Sequence, residues 1–338
     1  MRRVGKIRWT VFAIVAVLAV TSFAVALANA EEDVIRYTKI LDGNPTDATA
    51  YFNRGVAYGT LQKNEEAIQD YTKAIELNPE YVAAYTNRGY RYYYLDRYEE
   101  AMLDCDKAIE LDPKYVLAYH YRGYIYDALG QHVDALVAYS KAIELDPEYK
   151  WYYNSRGNAY YKLKKYEEAI QDYTRAMELD QGEALFYNGR GDSYKELANN
   201  EEAILDYSRA IVLNSGNASY YNKRGNAYYS LMSYEEAILD YTKAIERNPD
   251  ELVYYYNRGL ACYHLEKNEE AILDYDKAIT LNPAYKDAYK NRGDAFLRVD
   301  DTASALRDYE KALALDPEND TYRELVESLA KDVGDLTE

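Results

Sequence analysis

The sequence predicts an all-α fold in which one helical hairpin is repeated eight times, and two observations support this prediction. The dipeptide Arg-Gly recurs every 34 residues, from Arg54 to Gly293. Around each dipeptide, small and aromatic residues recur at spacings of three and four, which place them on one face of an α-helix. A fixed period of this length is typical of repeat proteins, in which each unit buries its apolar faces against its neighbours.

The first repeat begins at Ala48. The eight repeats are residues 48–81, 82–115, 116–149, 150–183, 184–217, 218–251, 252–285 and 286–319. In all of them position 4 is Tyr, position 8 is Gly, and positions 20 and 27 are Ala. Positions 4, 8 and 11 share one helix face and positions 20, 24 and 27 share another, so each repeat contains two helices. The small residues let these helices approach, and aromatic residues at positions 4, 11 and 24 fill the surrounding volume.

The second helix of each repeat ends at an Asn or Asp, which is followed in six repeats by Pro at position 32. Proline cannot continue a helix and restricts the residue before it, so the helix stops there. Gln181 and Ser215 take the place of this proline in the fourth and fifth repeats.

This pattern resembles the tetratricopeptide repeat, a 34-residue unit with an aromatic residue at position 4, Gly at 8, Tyr at 11, Ala at 20, an aromatic residue at 24, Ala at 27 and Pro at 32. The resemblance covers about four-fifths of the chain. It implies an α-α superhelix, a solenoid of eight full repeats. In this family the first helices line a concave, protein-binding groove with positions 2, 5, 6, 9, 12 and 13.

The segments that flank the repeats also fit a solenoid. Residues 31–45 align with residues 65–79, so we predict a half repeat over residues 31–47. Residues 320–331 have a helical pattern that is polar on one side. This is typical of a terminal cap, and we therefore predict a capping helix and tail over residues 320–338.

The first 30 residues have the composition of an export signal. Four basic residues and no acidic residue precede an apolar run, which is followed by the small-residue motif Ala28-Asn29-Ala30. We expect a signal peptide over residues 1–30, cleaved after Ala30, and hence a periplasmic or secreted protein. The alternative is an uncleaved single-pass membrane anchor, because about 20 apolar residues also span a bilayer. In both cases the repeats would lie outside the cytoplasm.

The chain is acidic, with 58 Asp and Glu residues against 40 Lys and Arg residues and a formal net charge of −18. Cleavage after Ala30 would remove four basic residues and change this charge to −22. Nucleic acid is thereby excluded as a partner class, since phosphate binding needs a basic face. Proteins or peptides with basic segments are favoured as partners, although an exterior that is simply well solvated would also be acidic.

No catalytic, metal or cofactor site is predicted. Cys105 at position 24 and Cys262 at position 11 stand where aromatic residues pack in other repeats, so we expect two buried thiols and no disulfide between them. Two isolated cysteines and three histidines match no zinc site of familiar spacing. No phosphate-binding glycine loop, nucleophile elbow or metalloprotease helix occurs. We therefore predict a protein without a cofactor and without enzymatic activity.

A ladder of ion pairs is predicted inside the repeats. Position 7 is Arg where the tetratricopeptide family usually has Leu, and position 23 is Asp in every repeat except the third, which has Ala138. An arginine that faces the next helix needs a carboxylate, because an unpaired buried charge is costly. We expect each arginine to pair with the aspartate of its own or an adjacent repeat, as Arg54 with Asp70; the alternative is a row of arginines that binds an anion. The predicted members are Arg54, Arg88, Arg156, Arg190, Arg224, Arg258, Arg292, Asp70, Asp104, Asp172, Asp206, Asp240, Asp274 and Asp308.

The groove positions vary from repeat to repeat, whereas the packing positions hardly change. The candidate ligand groove consists of Tyr90, Tyr93, Tyr94, Tyr121, Tyr124, Trp151, Asn154, Asn158, Asn188, Asn222, Asn226, Tyr256, Asn257 and Tyr263, with His120 nearby. Clustered tyrosines are favoured contact residues, and a row of asparagines suits hydrogen bonding to an extended peptide backbone. The alternative is that these side chains only pack or solvate the groove wall.

The sequence therefore predicts an exported scaffold that binds extended peptide or protein segments in the groove of a tetratricopeptide superhelix. The alternative is a membrane-tethered structural repeat protein that associates with itself. The oligomeric state and the identity of the partner are not predicted.

Overall fold

The structure, a computed structural model, describes residues 25–335, which are α-helical apart from short connections and contain no strand. The chain forms two compact units, of which the first ends at Leu163 and the second begins at Lys164. Within each unit, every helix that follows Asp47 packs on the next helix in sequence. The prediction of an all-α fold built from consecutive helix pairs is confirmed within both units.

The first unit contains eight described helices. They are α1 (25–43), α2 (Ala48–Thr60), α3 (Asn64–Leu77), α4 (Val82–Tyr94), α5 (Tyr98–Leu111), α6 (Val116–Ala128), α7 (His132–Leu145) and α8 (Lys150–Lys162). The even-numbered helices from α2 are the first helices of the repeats and also contact one another. The odd-numbered helices α3, α5 and α7 are the second helices, and each begins with one or two acidic residues that favour the positive end of the helix dipole.

The second unit continues the same alternation. Its helices are α9 (Tyr166–Leu179), α10 (Ala184–Glu196), α11 (Asn200–Leu213), α12 (Ala218–Ser230), α13 (Tyr234–Arg247), α14 (Leu252–His264), α15 (Asn268–Leu281), α16 (Lys286–Arg298), α17 (Thr302–Leu315) and α18 (Asp320–Asp335). The first helices are α10, α12, α14 and α16. The last helix, α18, buries Tyr322 and Leu329 against the repeat that precedes it.

The core of each repeat is made by small residues and one tyrosine ring. The alanines at positions 20 and 27 are all 0% exposed, and the tyrosines at position 24 are at most 2% exposed. The position-24 ring lies against the glycine at position 8 of the facing helix. A Cβ atom placed on Gly225 would lie 2.8 Å from Cε1 of Tyr241, and one on Gly259 would lie 2.8 Å from Cε1 of Tyr275. Any larger residue at position 8 would therefore displace the ring.

The turn between the two helices of each repeat uses a left-handed residue at position 15. Its φ angle is 55–61° in seven repeats and 73° in the third, at Gln62, Asp96, Gly130, Lys164, Ala198, Met232, Glu266 and Asp300. Residues other than glycine rarely adopt this conformation, which costs each of them about 1 kcal/mol. The sequence pattern does not predict it, because only Gly130 is a glycine.

The junction between repeats is a turn closed by a side chain. At each of the seven junctions between repeats, the Asn or Asp after the second helix accepts a hydrogen bond from the amide two residues later, as Asp112 does from Lys114 at 2.9 Å. The same bond forms at Asp180 and Asn214, where no proline follows. The side-chain turn therefore persists at both junctions that lack proline.

The predicted signal or anchor lies largely outside the described residues, which begin at residue 25. From there α1 runs without a break to residue 43, past the expected cleavage position and through most of the predicted half repeat. The boundaries at residues 30 and 47 stay predictions. Among residues 25–335, no helix has both the length and the apolar composition that crossing a membrane requires.

Candidate functional site

The predicted arginines and aspartates lie between the two helices of a repeat as forked ion pairs. Nε of Arg224 donates to Oδ2 of Asp240, and Nη2 of the same arginine donates to Oδ1, both at 2.7 Å. The same two-bond geometry, with distances of 2.7–2.8 Å, joins Arg54 to Asp70, Arg88 to Asp104, Arg190 to Asp206, Arg258 to Asp274 and Arg292 to Asp308. Each of these aspartates is about 5% exposed, so the arginine forks are occupied by buried carboxylates.

The remaining nitrogen of each arginine reaches the preceding repeat, a contact that our sequence analysis missed. Nη1 of Arg224 donates to Oγ of Ser208 at 2.9 Å, and Nη1 of Arg258 donates to Oγ1 of Thr242 at 3.0 Å. Both acceptors occupy position 25 of the repeat before. The recurrence of Thr, Ser or Asp at that position was the available signal. One arginine thus ties together the two helices of its own repeat and the end of the previous one.

The arginine at position 7 of the third repeat departs from this pattern. In the third repeat, which lacks the aspartate, Nη1 of Arg122 donates to Asp106 at 3.3 Å, while its buried Nε has no hydrogen-bond partner among the described residues. Arg156 donates from Nη1 to Ser140 at 3.0 Å within the first unit. Its predicted pairing with Asp172, which lies in the second unit, stays a prediction.

Burial works against the ionised form of these carboxyls. It raises the pKa of Asp104 and of Asp274 above the ordinary aspartate value, and the hydrogen bonds from Arg88 and Arg258 offset this only in part. A raised folded-state pKa means that the folded protein binds more protons, so these two groups lower stability as the pH rises through that range. In these two pairs, the cost of burying the carboxylate therefore offsets part of what the ion pair contributes to stability.

Five predicted groove tyrosines meet on α4 and α6 of the first unit; we call Tyr90, Tyr93, Tyr94, Tyr121 and Tyr124 the tyrosine cluster. The rings of Tyr90 and Tyr121 are stacked, with centroids 4.1 Å apart and planes 5° from parallel. The hydroxyls of Tyr90 and Tyr94 are hydrogen-bonded at 2.8 Å. Tyr94 is 54% exposed and the other four are half-buried, so the rings hold one another while one edge faces solvent.

Two cationic or titratable side chains adjoin the cluster, and neither is freely exposed. The Arg91 guanidinium lies 4.9 Å from the ring centre of Tyr90, and its Nη1 donates to the carbonyl of Gly59 at 3.2 Å. His120 is 4% exposed and is hydrogen-bonded to Oγ of Ser155 at 3.1 Å. Burial lowers the pKa of His120 to about 3, so it stays neutral and packs beneath the cluster. Our sequence analysis placed His120 near the groove but did not predict its burial.

The predicted groove residues of the fourth repeat lie together on one helix. Trp151 and Asn154 are half-buried and Asn158 is exposed, all on α8. Nζ of Lys150 lies 5.5 Å from the ring centre of Trp151.

The asparagines of the second unit bind side chains of the protein itself. Nδ2 of Asn257 donates to Oδ1 of Asn222 at 3.0 Å and to Oδ1 of Asn226 at 3.2 Å. Asn188 accepts from Nζ of Lys223 at 2.9 Å. The structure therefore brings these residues together as an internal hydrogen-bonded row between first helices, where the sequence predicted groups held out toward a peptide.

Hydroxyls of the position-24 tyrosines are joined to the same polar row. Tyr241 donates to Oδ1 of Asn226 at 2.9 Å, and both Tyr207 and Tyr309 donate at 2.8 Å to the aspartate at position 9 of their own repeats. The sequence analysis missed this link, although Asn or Asp recurs at position 9. In the seventh repeat position 9 is Leu260, and the hydroxyl of Tyr275, a side chain that is 0% exposed, has no hydrogen-bond partner among the described residues.

Tyr256 and Tyr263 complete the predicted groove residues at the far end of the second unit. The hydroxyl of Tyr256 accepts from Nδ2 of Asn291 at 2.9 Å, and its ring lies 6.0 Å from that of Tyr275. The Arg298 guanidinium lies 3.7 Å from the ring centre of Tyr263. Both rings are half-buried and held by neighbouring side chains.

The described residues contain no group of His, Cys, Asp or Glu side chains arranged to hold a metal ion. Cys105 and Cys262 are free thiols that are 0% and 4% exposed. Burial raises the pKa of both, to about 11 for Cys262, so both are in the unreactive thiol form.

Models of known protein families match most of the repeats. A model described as the tetratricopeptide repeat matches residues 48–81, 82–115, 151–182, 218–251, 253–285 and 287–319, which make up more than half of the chain. Two further models of this repeat match residues 105–137, 123–164 and 191–232. No curated protein matches the chain.

Solved structures of low sequence identity share the fold. The C-terminal part of a TPR repeat-containing protein from Cytophaga hutchinsonii superposes with a TM-score of 0.62 at 20% identity, over 71% of this chain and 99% of that one. YrrB is described as a TPR protein with an unusual peptide-binding site. It superposes with a TM-score of 0.50 at 23% identity, over 57% of this chain and 98% of the YrrB chain. A chain of the APC/C hetero-tetramer Cut9–Hcn1 gives 0.53 at 16% identity over 87% of this chain, which spans 58% of that one.

The ion-pair geometry predicts an asymmetric response to mutation. Asp240→Ala leaves the Arg224 guanidinium buried without its carboxylate, so we expect the free energy of unfolding to fall by about 3–5 kcal/mol. Replacing the pair together, as Arg224→Leu with Asp240→Leu, removes both charges, and we expect it to restore most of that loss. Urea unfolding followed by circular dichroism measures both. Asp250→Ala, at an exposed loop position, is the control. A loss below about 1 kcal/mol for Asp240→Ala would contradict the ladder.

We expect the substitution of Tyr by Phe to change the free energy of unfolding in opposite directions at Tyr275 and at Tyr241. Tyr275→Phe removes a buried hydroxyl that has no protein partner, so we expect the free energy of unfolding to rise by about 1 kcal/mol. Tyr241→Phe removes the hydrogen bond to Asn226, so we expect a fall of about 1 kcal/mol. Thermal unfolding of the two variants side by side is the measurement. Equal losses would show that the Tyr275 hydroxyl is satisfied in the folded protein.

Proposed function

The chain belongs to the tetratricopeptide repeat family, and we propose that it is an exported scaffold which binds an extended segment of another protein across the tyrosine cluster. Proteins of this family are generally scaffolds without enzymatic activity, and they bind other proteins or peptides. We further propose that binding occurs at the tyrosine cluster of the first unit, that the ligand is an extended protein segment, and that the protein is exported.

The tyrosine cluster is the observation that carries the proposal. Its five rings lie at positions 6, 9, 12 and 13 of two successive repeats, whereas packing accounts for the tyrosines at positions 4, 11 and 24. Tyr94 presents more than half of its surface to solvent, and the Tyr90 ring that it adjoins is already stacked on the ring of Tyr121. A large aromatic surface that is fixed before binding loses little conformational entropy when a ligand settles on it.

The chemistry of the cluster favours a peptide over a small polar metabolite. Tyrosine rings supply apolar contact area, and their hydroxyls bond to backbone amides and carbonyls. The hydroxyls of Tyr90 and Tyr94 lie at the solvent edge of the stack, where a backbone can reach them. YrrB, whose fold is similar, is described as having a peptide-binding site. The acidic composition supports a ligand with basic residues, since opposite charges accelerate encounter.

Export is proposed from residues 1–30 alone. Their basic start, apolar middle and Ala28-Asn29-Ala30 end support cleavage after Ala30. If this is correct, the released protein begins at Glu31. Mass spectrometry of the protein from the expressing cells measures that terminus directly, and a chain that retains residues 1–30 would favour the membrane-tethered alternative.

The binding proposal predicts that the cluster alone decides partner capture. Tyr90→Ala with Tyr93→Ala and Tyr94→Ala removes the open edge of the stack, and we expect the amount of partner recovered from native extract to fall at least about tenfold, because buried aromatic anchors dominate such interfaces. Recovered partners are identified by mass spectrometry and then tested as synthetic segments by calorimetry. A variant with Tyr90→Phe and Tyr94→Phe keeps the rings and should retain most of the capture.

Two controls separate binding from folding. Tyr234→Ala removes a half-buried tyrosine at the start of α13, a second helix outside the cluster, and should leave capture unchanged. Circular dichroism must show that every variant keeps its helix content. Unchanged capture by a helical triple-alanine variant would mean that the cluster only packs the wall of the groove.

A further inference from the structure

A row of exposed leucines crosses the second unit at position 22 of three successive repeats. Leu205 on α11 is 71% exposed, Leu239 on α13 is 67% exposed and Leu273 on α15 is 70% exposed. All three lie on second helices, whereas the tyrosine cluster lies on first helices. We call these three residues the leucine row. Because the repeats are equivalent, each leucine stands at the same place on its helix.

The leucine row is bounded at both ends. Position 22 is Gln171 on α9 and Arg307 on α17, so the repeats before and after the row carry a polar residue there. Single exposed apolar residues are ordinary on protein surfaces, whereas larger exposed apolar surfaces mark interaction sites. In the second unit, exposed leucines recur at equivalent places on three successive second helices. Leucine is also not needed at this position for folding, since the neighbouring repeats of the same unit form without it.

Charges flank the leucine row in a fixed order. Four residues before each leucine there is an exposed glutamate, and four residues after it there is an exposed basic residue. The glutamates are Glu201, Glu235 and Glu269, and the basic residues are Arg209, Lys243 and Lys277. Residues spaced by four lie on one helix face, so each helix presents acid, leucine and base in line.

The order acid, leucine, base is complementary to the same order on a second helix that runs in the opposite direction. If two such helices meet in antiparallel fashion, leucine faces leucine, each glutamate faces a basic residue, and each basic residue faces a glutamate. Parallel helices would place glutamate on glutamate and lysine on lysine, which is repulsive. A twofold axis that runs along the leucine row creates the antiparallel arrangement in all three repeats at once.

We propose that the leucine row is a docking surface for a second copy of this chain, which it binds through a twofold interface with α11, α13 and α15 antiparallel to their own equivalents. Leu239 then contacts Leu239 of the second copy, and Glu235 lies opposite Lys243 of the second copy. Three leucines from each copy bury less surface than a permanent dimer interface does, so the fraction of the protein that is dimeric rises with its concentration. The proposal is independent of what binds at the tyrosine cluster, which belongs to the first unit.

Other occupants fit the surface less well. Paired glutamates open each of the three helices beside the leucine row, at Glu201, Glu235 and Glu269 and the residues that follow them. Anionic lipid headgroups would be repelled by these acids. A different protein would have to supply the same alternation in reverse, which a second copy does without any further requirement.

Cysteine cross-linking tests the contact in the full chain as the expressing cell makes it. Leu239→Cys places a thiol on the proposed axis, and we expect mild oxidation to convert it to a disulfide-linked dimer of twice the chain mass. The native Cys105 and Cys262 are buried and do not compete. Ser230→Cys, at an exposed position on a first helix, is the matched control and should not form a disulfide-linked dimer.

The orientation is tested by mixing variants. Copies with Glu235→Cys and copies with Lys243→Cys should cross-link to each other, whereas Glu235→Cys should not cross-link to itself, because its two thiols would lie about 12 Å apart along the antiparallel helices, beyond the reach of a disulfide. Efficient cross-linking of Glu235→Cys to itself would overturn the antiparallel arrangement.

Sedimentation of the uncross-linked protein measures the affinity. We expect Leu239→Glu to weaken dimer formation at least about tenfold with unchanged helix content, since it removes apolar contact from both copies. Glu235→Lys should also weaken it, and Glu235→Lys combined with Lys243→Glu should restore it. A protein that stays monomeric at all concentrations, or a Leu239→Cys variant that cross-links only to a different protein or not at all, would overturn the proposal.

Discussion

The contact between a glycine and a tyrosine ring sets the geometry on which the rest of this structure depends. In six repeats, the first, the third and the fifth to eighth, the ring at position 24 occupies space that a side chain at position 8 of the facing helix would need. The helices can therefore approach closely only where position 8 has no side chain, and the ring then excludes water from the gap. In the second repeat Cys105 replaces the ring, and Ala101 and Asp104 lie against Gly89 in its place.

Polar contacts order the helices that this packing brings together. Each forked arginine joins Asp at position 23 of its own repeat to position 25 of the repeat before, so it connects three helices at once. The carboxylates are buried enough that an apolar pair could replace them without large loss, and their value lies in fixing the alignment of neighbouring repeats. The third repeat lacks the aspartate, and there the arginine relies on Asp106 of the repeat before.

The sequence was sufficient to predict the features that depend on local spacing. The helix pairs follow from the recurrence of Gly, Ala and Tyr at intervals of three and four, and Arg and Asp 16 residues apart are brought together by the hairpin they belong to. Features that depend on which neighbour a side chain meets were not predictable in the same way. Asn222, Asn226 and Asn257 have the composition of a peptide-binding row, but they bond to one another because adjacent first helices bring them within reach.

Position 15 and position 22 show two other limits of the sequence pattern. The left-handed turn at position 15 is imposed by the packing of the two helices and is adopted by residues that do not favour it, such as Met232. At position 22 the pattern shows Leu beside Ile, and helical spacing alone does not tell which of the two is buried. The structure shows that Leu205, Leu239 and Leu273 are the exposed members.

The most direct test of the glycine–tyrosine contact is a double-mutant cycle at Gly225 and Tyr241, measured as free energies of unfolding in urea. Gly225→Val should destabilise the protein by about 1–3 kcal/mol or more, because its side chain enters the space of the ring. Gly216→Ala, in an open loop, should have little effect. Combined with Tyr241→Leu, the Gly225→Val loss should shrink, since the smaller side chain makes room for it. Strictly additive losses in the double variant would contradict the account.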